Sequence, residues 1–221
     1  MGIANAILDD SQKKSRRKIV VFEIEHESSL APAMSLEKLG FDIEILNTDR
    51  NGFAKIMQFM EICDDSCALV IVQHANTEIA SIQNIKQIAT IAHENGALFH
   101  CDCVGSFCNI KLDVSDIGMD SASFSGHKIG APKGIGALYL KSGTPCKPIM
   151  YGGSQENELR PGTQPVALAD CFAKAAQSAI DNLKENRKRF NEFLTFLAPE
   201  IAKLDGVRLT VGFPENKMGY L

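Results

Sequence analysis

The chain has 221 residues, of which 45% are hydrophobic and 23% are charged, and its formal net charge is −4. This composition is that of a globular protein of one or two domains, and so small a charge argues against nucleic acid or an anionic membrane as a partner. No apolar run approaches the roughly 18 to 20 residues of a membrane helix, and the N-terminus lacks a signal-peptide pattern. We therefore expect a cytoplasmic protein.

A basic run and seven cysteines are the remaining features of the composition. The run KKSRRK, from Lys13 to Lys18, is typical of a solvated loop. The cysteines are odd in number and irregularly spaced, which favours reduced thiols over a disulfide framework. Cys101, Cys103 and Cys108 lie close together in the sequence but have no second ligand pair, so we expect no metal site.

Apolar segments rich in β-branched residues alternate with helical patterns along the chain. The predicted elements are, in chain order, a strand KIVVFEIE, a helix near Ser29 to Leu39, a strand FDIEIL, a helix near Phe53 to Ile62, a strand ALVIVQ, a helix Ile85 to Glu94, a strand ALFHCD, strands SASFS and GALYLK, a helical stretch from about Pro165 to Ala202, and a strand VRLTV. This order predicts an α/β fold with a mostly parallel central sheet flanked by helices.

Polar residues follow three of the predicted strands. They are the segment HAN after ALVIVQ, Asp102 at the end of ALFHCD, and the segment EHESS after KIVVFEI. Ligands of such sheets bind at the carboxyl ends of the strands, so these residues are candidates for a site. Each alone is also typical of a turn, a helix cap or a structural histidine.

The segment SFSGHKIGAPKGIG, from Ser123 to Gly136, places Lys128 in a glycine-rich run with few bulky apolar residues. By itself, a lysine in such a loop is usually a solvated charge. Together with a strand-end aspartate it suits a carbonyl cofactor, because a lysine amine bonds to aldehydes and a carboxylate holds a pyridinium proton.

Four ordered motifs give a more specific interpretation: QHANTEIASIQNI, ALFHCDCVGSF, SFSGHKIGAPKGIGALYL and YGGSQENELRPGT. Together they resemble the cysteine desulfurase family of class V aminotransferase-fold enzymes, over about Lys18 to Ala175. The resemblance implies the large domain of a fold-type I pyridoxal-phosphate enzyme over residues 1–203, ending in a long helical connection. Residues 204–221 would be the start of a small domain.

The resemblance also assigns site residues. Lys128 matches the lysine that binds pyridoxal 5′-phosphate covalently and moves protons, and Asp102 matches the aspartate that pairs with the pyridine nitrogen. The other matches are to cofactor contacts, namely His26 stacking on the ring and acting in catalysis, Asn76 near the phenolic oxygen, Ser125 and His127 on the phosphate, and Thr163 on the phosphate of the partner subunit. A homodimer is therefore implied.

The sequence also departs from the family pattern. Gly105 occupies the position of a glutamine that usually donates to the phenolic oxygen of the cofactor. A Gly-Ala-Thr phosphate loop would precede Met1, and a loop with the persulfide-forming cysteine and a substrate-binding arginine would follow Leu221. We therefore expect a chain incomplete at both ends, and we assign no catalytic thiol.

Two classes of function follow from these observations. The first is a pyridoxal-phosphate enzyme that takes sulfur from L-cysteine, leaving alanine and an enzyme persulfide, with a sulfur-acceptor protein as a possible partner and with weak or no activity in this chain alone. The second is a non-catalytic or split-gene descendant that acts as a binding or dimerisation partner. Selenocysteine lyases and other class V transaminases share the lysine site, so the substrate stays open.

Overall fold

The computed structural model describes residues 1–9 and 16–207 of the chain, and these form a six-stranded sheet with helices on both faces. The strands are β1 (Lys18–Phe22), β2 (Asp42–Leu46), β3 (Cys67–Gln73), β4 (Leu98–Asp102), β5 (Ser121–Ser125) and β6 (Gly136–Leu140). The helices are α1 (Gly2–Asp9), α2 (Glu27–Ser35), α3 (Ile56–Ile62), α4 (Ile85–Glu94), α5 (Val114–Ile117), α6 (Val166–Asp181) and α7 (Leu183–Ile201). Short 3-10 turns follow α2 and β5.

The strand order in the sheet is β2-β1-β3-β4-β5-β6. All neighbouring pairs are parallel except β5 and β6, which are antiparallel. The predicted α/β class with a mostly parallel sheet is therefore confirmed. The carboxyl ends of β1, β3, β4 and β5 lie at one edge, as parallel pairing requires.

The core has two halves, one on each face of the sheet, and β3 contributes to both. All seven residues of β3 are buried, as expected for a strand covered on both faces. One half contains Phe22, Phe59 and Phe99, and the other contains Ile7 and Leu36. Burying an aliphatic or aromatic side chain stabilises a fold by roughly 1.5 to 3 kcal/mol, so this strand is the main apolar support of the sheet.

The start, the end and the buried face of helix α4 all follow from its local sequence. Its apolar residues recur at helical spacing and are buried, Asn84 caps its first turn by accepting a hydrogen bond from the Gln87 N–H, and Gly96 follows in the left-handed conformation with φ 71°. The predicted bounds of this helix, Ile85 to Glu94, are those observed.

Other predicted bounds were less accurate. The strand KIVVFEIE ends at Phe22, because the Glu25 N–H donates to the Phe22 carbonyl and turns the chain toward α2. The helical stretch from Pro165 to Ala202 is two helices that meet at Asn182, and neither α1 nor the short α5 was predicted from the sequence.

The basic run and the C-terminal predictions fall partly outside the described residues. Lys13, Lys14 and Ser15 of the run are not described, whereas Arg16 donates to the carbonyls of Cys67 and Asn95. Arg16 thus ties β1 to its neighbours instead of lying in a solvated loop. The predicted strand VRLTV lies outside the described residues apart from its first residue, and the domain division at residue 203 stays a prediction.

Two negative findings concern membranes and metals. Within residues 1–9 and 16–207, no helix is both long and apolar enough to cross a membrane. Over the same part of the chain, no three His, Cys, Asp or Glu side chains come together as a metal site would require.

Each of the seven cysteines is a free thiol, and five of them are buried.

We predict that Asp120 is a main polar tie between β4 and β5. Its Oδ2 accepts a hydrogen bond from the Phe99 N–H at 2.8 Å and lies 2.8 Å from His93 Nε2, and its side chain is buried. Asp120→Ala leaves these groups unpaired and should lower the free energy of unfolding by about 1 to 3 kcal/mol, measured by urea denaturation.

Asp116→Ala is the matched control, because the Asp116 side chain forms no contact among the described residues other than an exposed ion pair with Lys86, and alanine keeps its backbone bond to Asp113. It should cost less than about 1 kcal/mol. Equal stability losses for the two variants would contradict the assignment of Asp120.

Candidate functional site

The candidate site lies at the carboxyl ends of β4 and β5. Asp102 ends β4 and pairs in register with Ser123 of β5, and the Cys103 N–H donates to the Ser123 carbonyl at 3.0 Å. Lys128 lies three residues after the end of β5. The parallel pairing therefore brings the predicted aspartate and the predicted lysine segment to the same edge of the sheet.

Lys128 lies on a single 3-10 turn, Gly126–Ile129, and its side chain is exposed. The turn ends at Gly130, whose φ of 88° is left-handed and favours glycine. Gly126 is packed so closely that an added Cβ would lie 2.8 Å from Ile135 Cγ2. In the part of the chain that the structure describes, the Lys128 ammonium makes no salt bridge, so its amine faces solvent at a rigid turn.

Ser125 directly precedes the same turn, His127 lies in its first half, and their side chains contact each other. Ser125 Oγ lies 2.8 Å from His127 Nδ1. A hydroxyl and an imidazole are donors suited to phosphate oxygens, and this pair lies at the end of the strand next to Asp102. The predicted grouping of these two residues with Lys128 therefore has a structural basis.

Asp102 is buried, with only 4% of its surface exposed. Its Oδ1 accepts a hydrogen bond from the Val104 N–H at 2.9 Å. Burial raises the pKa of this carboxyl, while the Val104 N–H, the nearby His26 and the Ser29 hydroxyl act in the opposite direction. A carboxylate held this way is suited to a partner that carries a positive charge or a proton.

His26 is the N-terminal cap of α2 as well as a candidate site residue. Its Nδ1 accepts a hydrogen bond from the Ser28 N–H at 3.1 Å and lies 2.7 Å from Ser28 Oγ. Because Nδ1 accepts, the ring proton of the neutral form lies on Nε2. The ring is exposed at the site edge, and this cap fixes its orientation.

Asn76 is held almost entirely by the local backbone. Its Oδ1 accepts hydrogen bonds from the N–H groups of Glu78 and Ile79, and its Nδ2 donates to the Ile24 carbonyl at 3.1 Å. These bonds tie the loop after β3 to the loop after β1. The side chain thus shapes the site edge whether or not it also meets a ligand.

Thr163 is not brought to the other candidate residues. It lies exposed on the segment between β6 and α6. An exposed position suits the expectation that it reaches a partner subunit, and that role stays a proposal.

Three buried polar residues lie at this edge, and of these the sequence analysis named Glu25 and His74 within candidate segments but gave neither a role, and it missed Gln73. Glu25, Gln73 and His74 are each less than one-tenth exposed and each carries a side-chain atom without a hydrogen-bond partner among the described residues. Their positions, in the turn after β1 and at or just after the end of β3, were a sequence signal, but the sequence of a turn does not show whether a polar side chain is buried.

Gly105 is enclosed by the loop after β3. A Cβ added there would lie 2.5 Å from the Ala75 carbonyl oxygen and 3.1 Å from Thr77 Cγ2. The chain therefore has no room for any side chain at this position as the loop stands. A glutamine side chain at position 105 would therefore collide with the loop after β3 in its present position.

The comparisons with known proteins agree with this arrangement. The model of the class V aminotransferases matches residues 2–217. The chain belongs to the class V aminotransferase family. Within it, the chain is 37% identical over 187 residues to the cysteine desulfurase IscS of Dictyoglomus turgidum, an alignment that covers 85% of this chain and 48% of that protein. The predicted resemblance to the cysteine desulfurases is confirmed.

Solved structures support the same conclusion. A NifS-like protein superposes with a TM-score of 0.89 at 29% identity, covering 96% of this chain and 58% of that one. A structure described as SspA in complex with cysteine superposes with a TM-score of 0.70 at 32% identity, covering 80% of this chain and 53% of that one. The chain thus spans about half the length of the curated relatives it matches.

Class V aminotransferases and cysteine desulfurases depend on pyridoxal phosphate in general. The residues of this class V chain fit that cofactor in kind: an exposed amine on a rigid turn, a buried carboxylate on the neighbouring strand, and a hydroxyl–imidazole pair between them. No acidic side chain among the described residues forms a salt bridge with Lys128, so its amine is available to a ligand.

We predict that Gly105→Ala destabilises the chain by about 1 to 3 kcal/mol in urea denaturation, because the added methyl group overlaps the Ala75 carbonyl. Gly105→Gln should cost at least as much. Gly130→Ala serves as a comparison, since no described atom lies within 4 Å of a Cβ added there and only its left-handed backbone opposes the change. Wild-type stability of Gly105→Ala would show that the loop after β3 yields freely.

Proposed function

We propose that this chain is the cofactor-binding part of a pyridoxal-phosphate-dependent cysteine desulfurase. The observation that carries the proposal is the pairing of β4 with β5, which puts the buried carboxylate of Asp102 beside the turn that bears the Lys128 amine. The family membership and the desulfurase relatives support it.

The proposed cofactor contacts divide among the site residues. Lys128 Nζ would hold the cofactor aldehyde, and Ser125 and His127 would donate to its phosphate. Asp102 would face the ring nitrogen, and His26 would cover the ring from the loop after β1. Asn76 retains one amide N–H beyond its three backbone bonds for a contact near the phenolic oxygen.

The chemistry of the cofactor, when it is bound, is to withdraw the electron pair released as a bond to the α-carbon of an amino acid breaks. The residues of this chain supply binding, orientation and proton transfer. The Asp102 carboxylate stabilises positive charge next to it, more strongly than in water because it is buried. The Lys128 amine is placed to carry a proton, and His26 presents Nε2–H from a fixed ring.

Cysteine is the substrate that the comparisons favour. The relatives are named cysteine desulfurases, and one structural neighbour is described in complex with cysteine. We propose L-cysteine as sulfur donor for the whole protein, with alanine and an enzyme persulfide as products and a sulfur-acceptor protein as the next partner. We assign no persulfide-forming thiol, because the cysteines at this site edge are buried.

A homodimer completes the proposal. Thr163 is exposed on the segment before α6, where it could reach the phosphate bound by a second copy. Seven free thiols suit a reducing compartment, which supports the cytoplasm as the location.

We predict that Lys128→Ala abolishes covalent attachment of the cofactor. The wild-type chain, incubated with pyridoxal phosphate and reduced with borohydride, should gain one phosphopyridoxyl group that peptide mass spectrometry places on Lys128. The matched control is Lys133→Ala, because Lys133 is an exposed lysine of the same segment and lies on no candidate contact.

Asp102→Asn should weaken cofactor binding by more than tenfold, because it removes the buried charge but keeps the acceptor for the Val104 N–H. An unchanged adduct in Lys128→Ala would contradict the assignment of the lysine. A wild-type chain that gains no adduct while remaining folded would favour the non-catalytic alternative.

A further inference from the structure

Glu25 is a buried acid that the proposed chemistry does not use. It lies in the turn after β1 and is only 8% exposed. Its Oε1 accepts a hydrogen bond of 2.5 Å from the Gln73 N–H at the end of β3. Its Oε2 is buried and has no hydrogen-bond partner among the described residues. A carboxylate with one such oxygen costs far more to bury than a neutral carboxyl group does.

The surroundings of Glu25 connect it to Asp102. Gln73 pairs in register with Asp102, and the His74 N–H donates to the Asp102 carbonyl at 2.9 Å. Gln73 Oε1 and His74 Nδ1 are also buried without partners in the described part of the chain. The Gln73 amide oxygen is an acceptor, and His74 Nδ1 is one when the ring proton lies on Nε2, so the strand end that donates to Glu25 also holds unpaired acceptors for a proton.

The two carboxyl groups differ in their donors. Asp102 receives the Val104 N–H, interacts with His26 and contacts the Ser29 hydroxyl, all of which favour its charged form. Glu25 receives one backbone N–H, while burial and the charge of Asp102 raise its pKa to about 8. If only one of the two is ionised near neutral pH, these donors select Asp102.

The remaining titratable groups near the pair are thiols and imidazoles. Cys101 and Cys103 lie on either side of Asp102 in the chain, with the Cys103 thiol in contact with Cys101 and His74, and burial raises the pKa of Cys101. His26 is exposed beside Asp102. Among residues 1–9 and 16–207, no lysine or arginine contributes to the electrostatic surroundings of Glu25 or Asp102, so a second negative charge there would have no described cation to offset it.

We propose that Glu25 and Asp102 form a carboxyl pair in which Glu25 keeps a proton and Asp102 keeps the negative charge. Glu25 is then a positioning residue that acts through Asp102, since it holds the end of β3 against β1 without adding a second charge. The carboxyl pair itself does not depend on the proposed function. That function matters here only because it assigns the Asp102 charge to the ring nitrogen of the cofactor.

We predict a pH-dependent difference in stability between the wild type and Glu25→Gln, measured without cofactor by urea denaturation from pH 5 to pH 9. A folded-state pKa raised from an unfolded value of about 4.3 to about 8 means that the folded chain keeps a proton that the unfolded chain loses. Its contribution is present in full below the unfolded pKa and is lost as pH rises to about 8.

The unfolding constant of the wild type, divided by that of Glu25→Gln, should therefore rise up to about tenfold per pH unit between about pH 5 and pH 8. Glutamine keeps an acceptor for the Gln73 N–H and replaces the O–H with an N–H, so the variant should fold. Glu23→Gln is the matched control, since Glu23 is exposed two residues earlier. A constant ratio for Glu25→Gln across this range would overturn the proposal.

The pairing itself is tested by repeating the titration in an Asp102→Asn background. Removing the neighbouring charge should move the Glu25-dependent step to lower pH, because ionised Glu25 no longer meets a second anion. A step at the same pH in both backgrounds would show that the two carboxyl groups are independent and would also overturn the pair.

A cofactor readout separates this inference from the proposed function. With pyridoxal phosphate bound, the visible absorbance of the wild type should change above about pH 8 as Glu25 ionises, and that change should be absent in Glu25→Gln. If no variant binds the cofactor, the proposed function fails while the two cofactor-free titrations still decide the carboxyl pair. An identical absorbance profile in both proteins would contradict the action of Glu25 through Asp102.

Discussion

The parallel pairing of β4 with β5 is the interaction on which the candidate site depends. It aligns Asp102 with Ser123, so that the end of one strand and the turn after the next strand meet at the same edge. Parallel strands put their carboxyl ends together, and the polar groups that follow each strand then converge although they are distant in sequence. Without this register, Lys128 would be one more surface lysine.

The sheet can hold this edge because its centre is apolar and fully covered. All seven residues of β3 are buried, and the phenylalanines at 22, 59 and 99 fill one face. Close packing resists the small displacements that would misalign neighbouring strands. Polar ties such as Asp120 then connect β4 and β5 at the far end of their pairing, away from the site.

Several candidate ligand-binding residues also build the loops that carry them. His26 caps α2, and Asn76 ties the loop after β3 to the loop after β1. These bonds hold the side chains in one orientation before any ligand arrives, which lowers the entropy lost on binding. Substituting either residue will therefore change loop structure and ligand contacts together, whereas Lys128 and His127 are on the surface of an otherwise complete turn.

The sequence by itself determined the order of strands and helices, the α/β class, the resemblance to the desulfurases, and the segments that bear Asp102 and Lys128. These features are local: hydrophobic periodicity, caps such as Asn84 and glycine-rich turns act within a few residues. The tertiary structure alone decided that β6 runs antiparallel, that the loop after β3 closes over Gly105, and that Glu25 is buried beside Asp102. Each of these depends on contacts between segments that are distant in the chain, and no pattern of neighbouring residues specifies such contacts.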